Sequence, residues 1–403
     1  MNNDELPNNQ GALQASEITE AEVEDWFDSE EAPPDLAREQ VDIVQRYSDA
    51  QLRIVRSTLD LSLHNLRQSL RDSSYINMSP SYQRRHRWDT KKRSQLIESL
   101  LLNIPIPPLF LFENDYNQYE IMDGRQRLDA IKEFLENMYP LRGLEYWPEL
   151  DGSQFGDLPP TIQRGLLRRT VSAIVLLAET SRPDDSEIDV RMALFKRLNT
   201  GGVKLNPQEL RNALYPSKFN EMLINIAQWD LFRDTWRIPR YSDEEAETVP
   251  KRVQNNALYK TMADCELVLR FFAIRETVVD NRRGSLRRLM DKSMQKHAND
   301  NDSTVAALDA EYRSTLQHLF YTFEGSPFVL PETTRPSRPA YDALMVACSI
   351  IGINNLTGRD EEIRRNFLQV ANVPTSYEVL IGRGNTVESI KERVALATKI
   401  LTN

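Results

Sequence analysis

The sequence is poor in several residue types that particular protein classes require. Its 403 residues include only two cysteines and four histidines. Cys265 and Cys348 lie far apart in apolar, helix-like patterns, which argues against a disulfide framework or a cysteine-based zinc site and favours a reducing compartment. No apolar run approaches the roughly 20 residues of a membrane span, and the acidic, polar N-terminus does not resemble a signal peptide. We therefore expect a cytoplasmic protein that has no membrane partner.

Basic residues are fewer than acidic ones in this sequence. The net charge is −10, which argues against a general nucleic-acid coat protein but leaves room for a local basic groove. The acidic residues are unevenly placed, because residues 1–40 carry about a dozen Asp and Glu against one Arg. Residues 1–35 have few large apolar side chains, and we predict a disordered acidic tail there. Trp26 and Phe27 are the exception, since they are suited to dock on the body of the protein or on a partner.

Hydrophobic spacing divides the rest of the chain into two parts. From Leu36 to Leu70 apolar residues recur at intervals of mostly three and four, which predicts one long amphipathic helix. That helix would pack on the next domain or form the coiled coil of a homodimer, and the sequence leaves both open. Strand and helix patterns then alternate, as in a compact α/β unit, whereas helix patterns dominate the C-terminal third. The predicted fold class is therefore α+β, with an α/β domain at residues 36–240 and a mostly α-helical domain at residues 241–403.

One stretch combines a short apolar strand, an Asp-Gly pair and the start of a helix. Gly124 allows the sharp turn and a close approach of the backbone to a ligand. Asp123 occupies the position expected of a helix N-cap, and the free N–H groups of the next turn favour phosphate. Arg125 and Arg127 add two guanidinium groups that suit bidentate phosphate contacts. The residues alone leave open whether this is a phosphate site or an ordinary strand–turn–helix junction with exposed arginines.

Two further polar loops are candidates for the same site. The loop from Tyr82 to Trp88 combines arginines with aromatic residues, which suits phosphate contact and base stacking but is equally typical of a solvated basic loop. The second loop begins at Asn199 and Thr200 and continues through two glycines. It either lines a ligand pocket or joins two helices, of which the second has the N-cap pattern of Asn206 followed by Pro and Glu.

Four stretches of the sequence together resemble a known family, the domain of unknown function number 262. This is the N-terminal domain of GmrSD-type modification-dependent restriction enzymes and of related phage-defence proteins, and the resemblance covers roughly residues 40–230. It implies a small α/β core like that of the ParB/sulfiredoxin superfamily, with helical additions. The stretches, in chain order, are Tyr82-Gln83-Arg84 with Trp88, the Ile-Pro-Ile-Pro-Pro run from Ile104, Met122-Asp-Gly-Arg-Gln-Arg-Leu128, and Phe195-Lys-Arg-Leu-Asn-Thr-Gly-Gly202 with Gln208-Glu-Leu-Arg-Asn-Ala213.

The resemblance also implies roles for individual residues. The family's Asp-Gly-Gln-Gln-Arg motif is implicated in nucleoside triphosphate hydrolysis and corresponds here to residues 123–127, with Arg125 in place of the usual Gln. Asp123, Gln126 and Arg127 would be catalytic: Asp123 would position water, and Arg127 would neutralise the transferred charge. Mg²⁺ would be held largely by the phosphates, and its protein ligands stay unassigned. The residues that would bind the nucleotide are Tyr82, Gln83, Arg84, Gly124, Arg125, Asn199 and Thr200.

These observations support three functional hypotheses. The first is a nucleotide-binding and nucleotide-hydrolysing sensor or regulator of a bacterial DNA-modification or phage-defence system that acts on or near DNA. The second is a non-enzymatic DNA-binding module with the same basic groove, and the third is a ParB-like DNA-nicking nuclease. Whether the chain is an enzyme therefore stays open at this stage. The four histidines are not arranged as in a His-Asn-His nuclease, so we expect any nuclease to be a separately encoded partner.

Overall fold

The computed structural model divides the chain into two compact units. Residues 38–205 form one, here called the sheet unit, and residues 1–37 together with 206–403 form the other, here called the helical unit. The sequence predicted a boundary between residues 240 and 241, whereas the division between the units lies between Leu205 and Asn206. The structure describes residues 17–28, 56–71, 75–77, 88–177, 206–240, 249–331, 333–382 and 386–403.

The sheet unit is built on a five-stranded mixed sheet with the strand order β1-β5-β3-β4-β2. β1 and β5 pair antiparallel, as do β3 and β4, whereas β3 with β5 and β2 with β4 are parallel. This sheet and the helices of the helical unit confirm the predicted α+β class. The first helix of the chain, α1 (Glu20–Asp28), belongs to the helical unit. The elements of the sheet unit are β1 (Arg56–Ser62), α2 (Leu63–Ser69), β2 (Ile76–Asn77), α3 (Thr90–Leu101), β3 (Leu109–Asp115), β4 (Gln118–Asp123), α4 (Arg125–Leu135), α5 (Pro160–Leu167) and β5 (Thr170–Leu176).

The core of the sheet unit lies between the sheet and its helices. Ile97 of α3 and Ile131 and Phe134 of α4 are almost completely buried, and they share one apolar cluster with Leu111 of β3 and Val175 of β5. Residues 170–175 of β5 alternate between more exposed and buried positions, as expected where one face of a sheet is covered, whereas residues 119–122 of β4 are all buried. This packing fixes α4, and with it the Asp-Gly junction, against the middle of the sheet.

The predicted long helix from Leu36 to Leu70 is wrong in its described part. Arg56–Ser62 is a strand that pairs along its whole length with β5, and only the seven residues Leu63–Ser69 are helical. Leu59 and Leu63 are four apart, a spacing that places two residues on one face of a helix and equally on one face of a strand. In the described residues 56–70 the helix is therefore only seven residues long, which is short for the coiled coil that was one of the two alternatives for this stretch, and a homodimer stays a prediction.

The helical unit contains no strand within its described ranges. No helix of the described chain is long and apolar enough to cross a membrane. Cys265 and Cys348 are both buried free thiols. The helices are α1 (Glu20–Asp28), α6 (Pro207–Leu214), α7 (Lys218–Gln228), α8 (Asp230–Trp236), α9 (Lys251–Gln254), α10 (Ala257–Lys260), α11 (Ala263–Val279), α12 (Leu286–Lys296), α13 (Asp302–Thr322), α14 (Arg338–Ile351), α15 (Asp360–Ala371), α16 (Pro374–Ile381) and α17 (Val387–Thr402).

The N-terminal tail is not disordered throughout. Residues Glu20–Asp28 form α1, whereas the sequence predicted a disordered segment over residues 1–35. Val23 and Phe27 lie four residues apart and are both buried, at 0% and 6% exposure. Burial of two apolar side chains on one helical face provides the stabilisation that composition alone did not reveal. Trp26 and Phe27, which the sequence marked as able to dock, belong to this helix.

Helix α6 begins at the N-cap that the sequence predicted. The side chain of Asn206 accepts hydrogen bonds from the N–H groups of Gln208 and Glu209, and the Glu209 carboxylate accepts one from the N–H of Asn206. The polar residues that follow point into the helical unit. Arg211 is 1% exposed and forms ion pairs of 2.8 Å with Glu266 of α11 and Asp291 of α12. The stretch after residue 206 thus ties three helices together.

His297 gives the stability of the helical unit an expected pH dependence. Burial lowers the pKa of His297, but hydrogen bonds to Glu276 and Asp300 outweigh this and raise the pKa above its ordinary value. The ring also stacks on Phe219. The protonated form is therefore favoured by folding, so its contribution is complete below the unfolded pKa of about 6.5 and is lost as the pH rises through the higher folded pKa.

We accordingly expect the free energy of unfolding to fall as the pH is raised above about 6.5. His297→Gln keeps a hydrogen-bonding side chain but removes the titration, so the slope becomes flatter. Urea unfolding at a series of pH values measures this effect. The matched control His64→Gln, at an exposed position of α2, keeps the wild-type slope. A slope that persists unchanged in His297→Gln would assign the titration to another group.

Candidate functional site

The candidate site lies where β4 ends and α4 begins. Asp123 is the last residue of β4, and Gly124 is the N-cap of α4 with φ of 98°. The sequence placed Asp123 at the N-cap position, and this prediction is wrong by one residue because the left-handed turn falls on the glycine. A Cβ atom on Gly124 would overlap the Cδ2 atom of Leu109. The position therefore needs glycine both for its φ angle and for space.

Gly124, the N-cap of α4, has no side chain that could cap the first turn. The carbonyl of Gly124 accepts the first intrahelical hydrogen bond, from the N–H of Leu128. N–H groups of the first turn have no partner within their own helix, and the helix dipole places partial positive charge there. Together these two features make the junction able to receive an anionic oxygen.

Arg127 is held inside the junction. Its Nη2 atom donates a hydrogen bond of 2.6 Å to the Oδ2 atom of Asp123. Its Nη1 atom donates to the carbonyl of Pro107 and, at 3.2 Å, to that of Pro108. The Arg127 side chain is 11% exposed and that of Asp123 33%. Burial lowers the pKa of Arg127, and the adjacent carboxylate opposes this shift.

The other two residues of the motif also have partners. The Nε atom of Arg125 lies 3.5 Å from the Oδ2 atom of Asp129, one helical turn later. The Oε1 atom of Gln126 accepts a hydrogen bond of 3.0 Å from the N–H of Trp88. Gln126 therefore anchors the residue that follows the loop 78–87, and the Arg125 side chain, 18% exposed, is paired along the helix surface.

Three of the four stretches that carry the family resemblance meet at this junction. Trp88 is bonded to Gln126, and the carbonyls of Pro107 and Pro108 are bonded to Arg127. The contact of the proline run with an arginine could not be predicted from the sequence, in which the run is known only from the family resemblance. The Ile-Pro-Ile-Pro-Pro run thus supplies acceptors that hold the motif arginine in place.

The remaining predicted site residues lie outside the described residues. This applies to both polar loops, so the structure does not test their place in the site. They are Tyr82, Gln83 and Arg84 of the first loop and Asn199 and Thr200 of the second.

The sequence reasoning missed one buried carboxylate of the sheet unit. Glu98 of α3 is 4% exposed, and its side chain accepts hydrogen bonds from the N–H groups of Glu145, Tyr146 and Trp147. Three donors satisfy a buried carboxylate without a counter-ion. The only signal in the sequence of α3 was a single acidic residue beside the apolar ones. The three hydrogen bonds indicate that Glu98 has a structural role, which is to fix the loop after α4.

Comparisons with known proteins bear on this part of the chain. No curated protein and no solved structure matches the sequence, so the relation to the ParB/sulfiredoxin fold and to the domain of unknown function number 262 stays a prediction. Residues 63–216 match the family model described as GmrSD restriction endonuclease, N-terminal domain. The match includes the junction at Gly124 and ends just after α6. This part of the chain is therefore similar to the N-terminal domain of GmrSD-type restriction endonucleases.

Proposed function

We propose that this protein is a nucleotide-binding sensor or regulator of a DNA-restriction or phage-defence system. The single observation that carries the proposal is the β4–Gly124–α4 junction, which lies within the GmrSD-type domain. A glycine in the left-handed region brings the N-terminus of a helix, with its partial positive charge, beside a partly exposed carboxylate. This combination of N–H donors and an acidic side chain suits a nucleoside triphosphate better than it suits an uncharged ligand.

The residues of the junction fit a triphosphate bound together with Mg²⁺. The N–H groups of the first turn of α4 would receive phosphate oxygens, and Asp123 would contribute an oxygen ligand of the kind Mg²⁺ prefers. The described residues contain no group of three or more His, Cys, Asp or Glu side chains placed to hold a metal ion. Mg²⁺ needs few protein ligands when phosphates supply the rest, and it would neutralise their charge.

The contacts of Arg127 support a positioning role for this residue. Its guanidinium is shared between the Asp123 carboxylate and two backbone carbonyls. It therefore fixes the rotamer of Asp123, whose remaining exposed oxygen surface can accept a hydrogen bond from an attacking water. Asp123 is the residue that we propose for hydrolysis. Arg125 stands where the family has Gln and pairs with Asp129, so no glutamine side chain at this position orients water or substrate.

The alternative of a non-enzymatic DNA-binding module receives less support from the described residues. Arg125 and Arg127 are only 18% and 11% exposed and both are engaged in ion pairs. Guanidinium groups that line a DNA backbone groove need to face the solvent and the phosphates. DNA and a separately encoded nuclease remain the partners that we propose for the whole protein, since the GmrSD-type domain belongs to a restriction endonuclease family.

The proposal is tested by nucleotide binding and phosphate release with each of the four ribonucleoside triphosphates and Mg²⁺, with and without DNA. We expect one nucleotide to be hydrolysed, and we expect Asp123→Asn to lower turnover by at least about 100-fold. Asparagine keeps an acceptor for Arg127, so thermal melting should change little. The matched control Asp151→Ala, at an exposed turn, keeps wild-type turnover.

Two results would contradict the proposal in different ways. Wild-type turnover in a folded Asp123→Asn variant would remove this carboxylate from the mechanism while leaving a nucleotide site in place. No nucleotide binding at all, combined with DNA binding that weakens steeply with salt, would favour the DNA-binding module.

A further inference from the structure

The helix α1 packs on the rest of the helical unit as a docked peptide would. It packs against α10 and buries Val23 and Phe27, which are four residues apart and share a face. Its sequence, Glu-Ala-Glu-Val-Glu-Asp-Trp-Phe-Asp, contains five acidic residues and no basic one. The two buried apolar side chains on an otherwise acidic helix are typical of helix-in-groove recognition, in which anchors recur at i and i+4.

The surface that receives α1 is basic. The Nζ atom of Lys260 lies 2.9 Å from both carboxylate oxygens of Glu20. Arg335 pairs with the carboxylate of Glu22, and the guanidinium of Arg338 lies 4.8 Å from the centre of the Trp26 ring. The three cations, Lys260, Arg335 and Arg338, all contact α1 and are complementary to its charge. They are called the basic rim below.

The contacts of α1 are of the kind that form and break readily. A helix of nine residues is marginal by itself in water, although Thr19 and Glu22 cap its first turn reciprocally. The ion pair of Glu20 and Lys260 is 49% and 31% exposed, and exposed pairs contribute little stability. Only Val23 and Phe27 are largely removed from water. Release of α1 therefore requires the loss of few buried contacts, as in a local opening of low free energy.

We propose that the surface beneath α1, with its basic rim, is a docking site for an acidic amphipathic helix of a partner protein, and that α1 occupies it in cis until the partner displaces it. The partner helix would carry apolar residues at the positions of Val23 and Phe27 and acidic residues at those of Glu20 and Glu22. This inference does not depend on the nucleotide site, because every residue that carries it belongs to the helical unit.

A labelled peptide with the sequence of residues 17–30 serves as the probe in an anisotropy titration. The receptor is the full chain with Val23→Ala and Phe27→Ala, which weakens the cis helix but keeps its charges. We expect the peptide to bind this variant at least about tenfold more tightly than the wild type, because the free site is then more populated. Circular dichroism and thermal melting of the variant establish that the receptor is folded.

A charge exchange tests whether the basic rim recognises the helix. Adding Lys260→Glu to the receptor should weaken binding of the wild-type peptide by about two- to fivefold, the effect expected of an exposed pair, and a peptide with Glu20→Lys should restore the affinity. A peptide with Glu24→Lys is the matched control, since Glu24 is exposed on α1, and it should not restore binding.

Three results would overturn the proposal. These are a folded receptor variant that binds no peptide, a variant that binds the peptide with the same affinity as the wild type, and exchanged charges that fail to restore binding. Sedimentation of the wild-type chain provides a further check, for which we expect a monomer. A dimer that Val23→Ala and Phe27→Ala dissolve would show that α1 exchanges between two copies, which would replace the partner protein as the occupant.

Discussion

The substitution Asp342→Ala should lower the free energy of unfolding by at least about 3 kcal/mol, the cost typical of removing one partner of a buried ion pair. Asp342 lies on α14 and is 2% exposed, and Arg270 of α11 is 1% exposed. The Nε atom of Arg270 donates a hydrogen bond of 3.1 Å to one oxygen of Asp342, and its Nη2 atom donates to the other. Alanine would leave this buried guanidinium without its carboxylate.

A second buried arginine increases the expected effect. Arg393 of α17 is 2% exposed, and burial lowers its pKa while the charge of Asp342 raises it and that of Arg270 lowers it. Asp342 is thus the carboxylate that offsets the charges of two buried arginines on two further helices. Without the Asp342 carboxylate, the repulsion between the two buried guanidinium groups is no longer offset by this negative charge.

Urea unfolding at neutral pH measures the effect, and a surface pair provides the matched control. Asp309 and Arg313 form an ion pair one helical turn apart on α13, with both side chains about 30% exposed. Asp309→Ala should change the free energy of unfolding by less than about 1 kcal/mol, because solvent screens exposed pairs. If Asp342→Ala cost no more than this control, the buried pair would have no special part in holding the helical unit together.

Elements that depend on local signals could be predicted from the sequence. The hairpin of β3 and β4 follows from two apolar runs around a turn, where Asn117 has the positive φ that asparagine tolerates. The N-cap residues Asp89 and Asn206 follow from side chains that accept hydrogen bonds from N–H groups two or three residues later. In each case the residues that decide the structure are neighbours in the chain.

Elements that depend on distant partners could not be predicted in this way. The strand β1 exists because Arg56 to Ser62 pair with residues of β5, which follow more than a hundred positions later. No local pattern distinguishes a leucine spacing of four in a strand from the same spacing in a helix. The helix α1 also depends on a distant partner, because it packs against α10 and its residues Val23 and Phe27 are buried.

The candidate site shows the same limit at the level of single side chains. The sequence indicated the turn at Gly124 and the charges beside it, and the structure confirms the turn. The sequence could not indicate that Arg127 would pair with Asp123 and with the carbonyl of Pro108. An arginine near a helix N-terminus is equally suited to bind a phosphate. The partner that an arginine takes depends on which acceptors the fold brings within reach.

The substitution Gly124→Ala should lower the free energy of unfolding by about 2–4 kcal/mol, from the strain of a left-handed backbone and from overpacking. The φ angle of 98° is unfavourable for alanine, and its Cβ would overlap Leu109. Leu109 is 1% exposed and belongs to the core of the sheet unit, so its side chain cannot move into the solvent. Urea unfolding in the absence of any nucleotide is the measurement.

A control variant and a nucleotide-binding measurement distinguish two reasons for the glycine at the junction, the backbone geometry of the turn and the close approach of a ligand. Gly165→Ala, in α5 with no atom within 4 Å of the added Cβ, should instead stabilise the protein by about 0.5–1 kcal/mol, because alanine favours a helix. A destabilised Gly124→Ala variant would show that the turn itself requires glycine, whether or not a phosphate binds. If its stability were unchanged but nucleotide binding were lost, the glycine would instead serve the close approach of the ligand to the helix N-terminus.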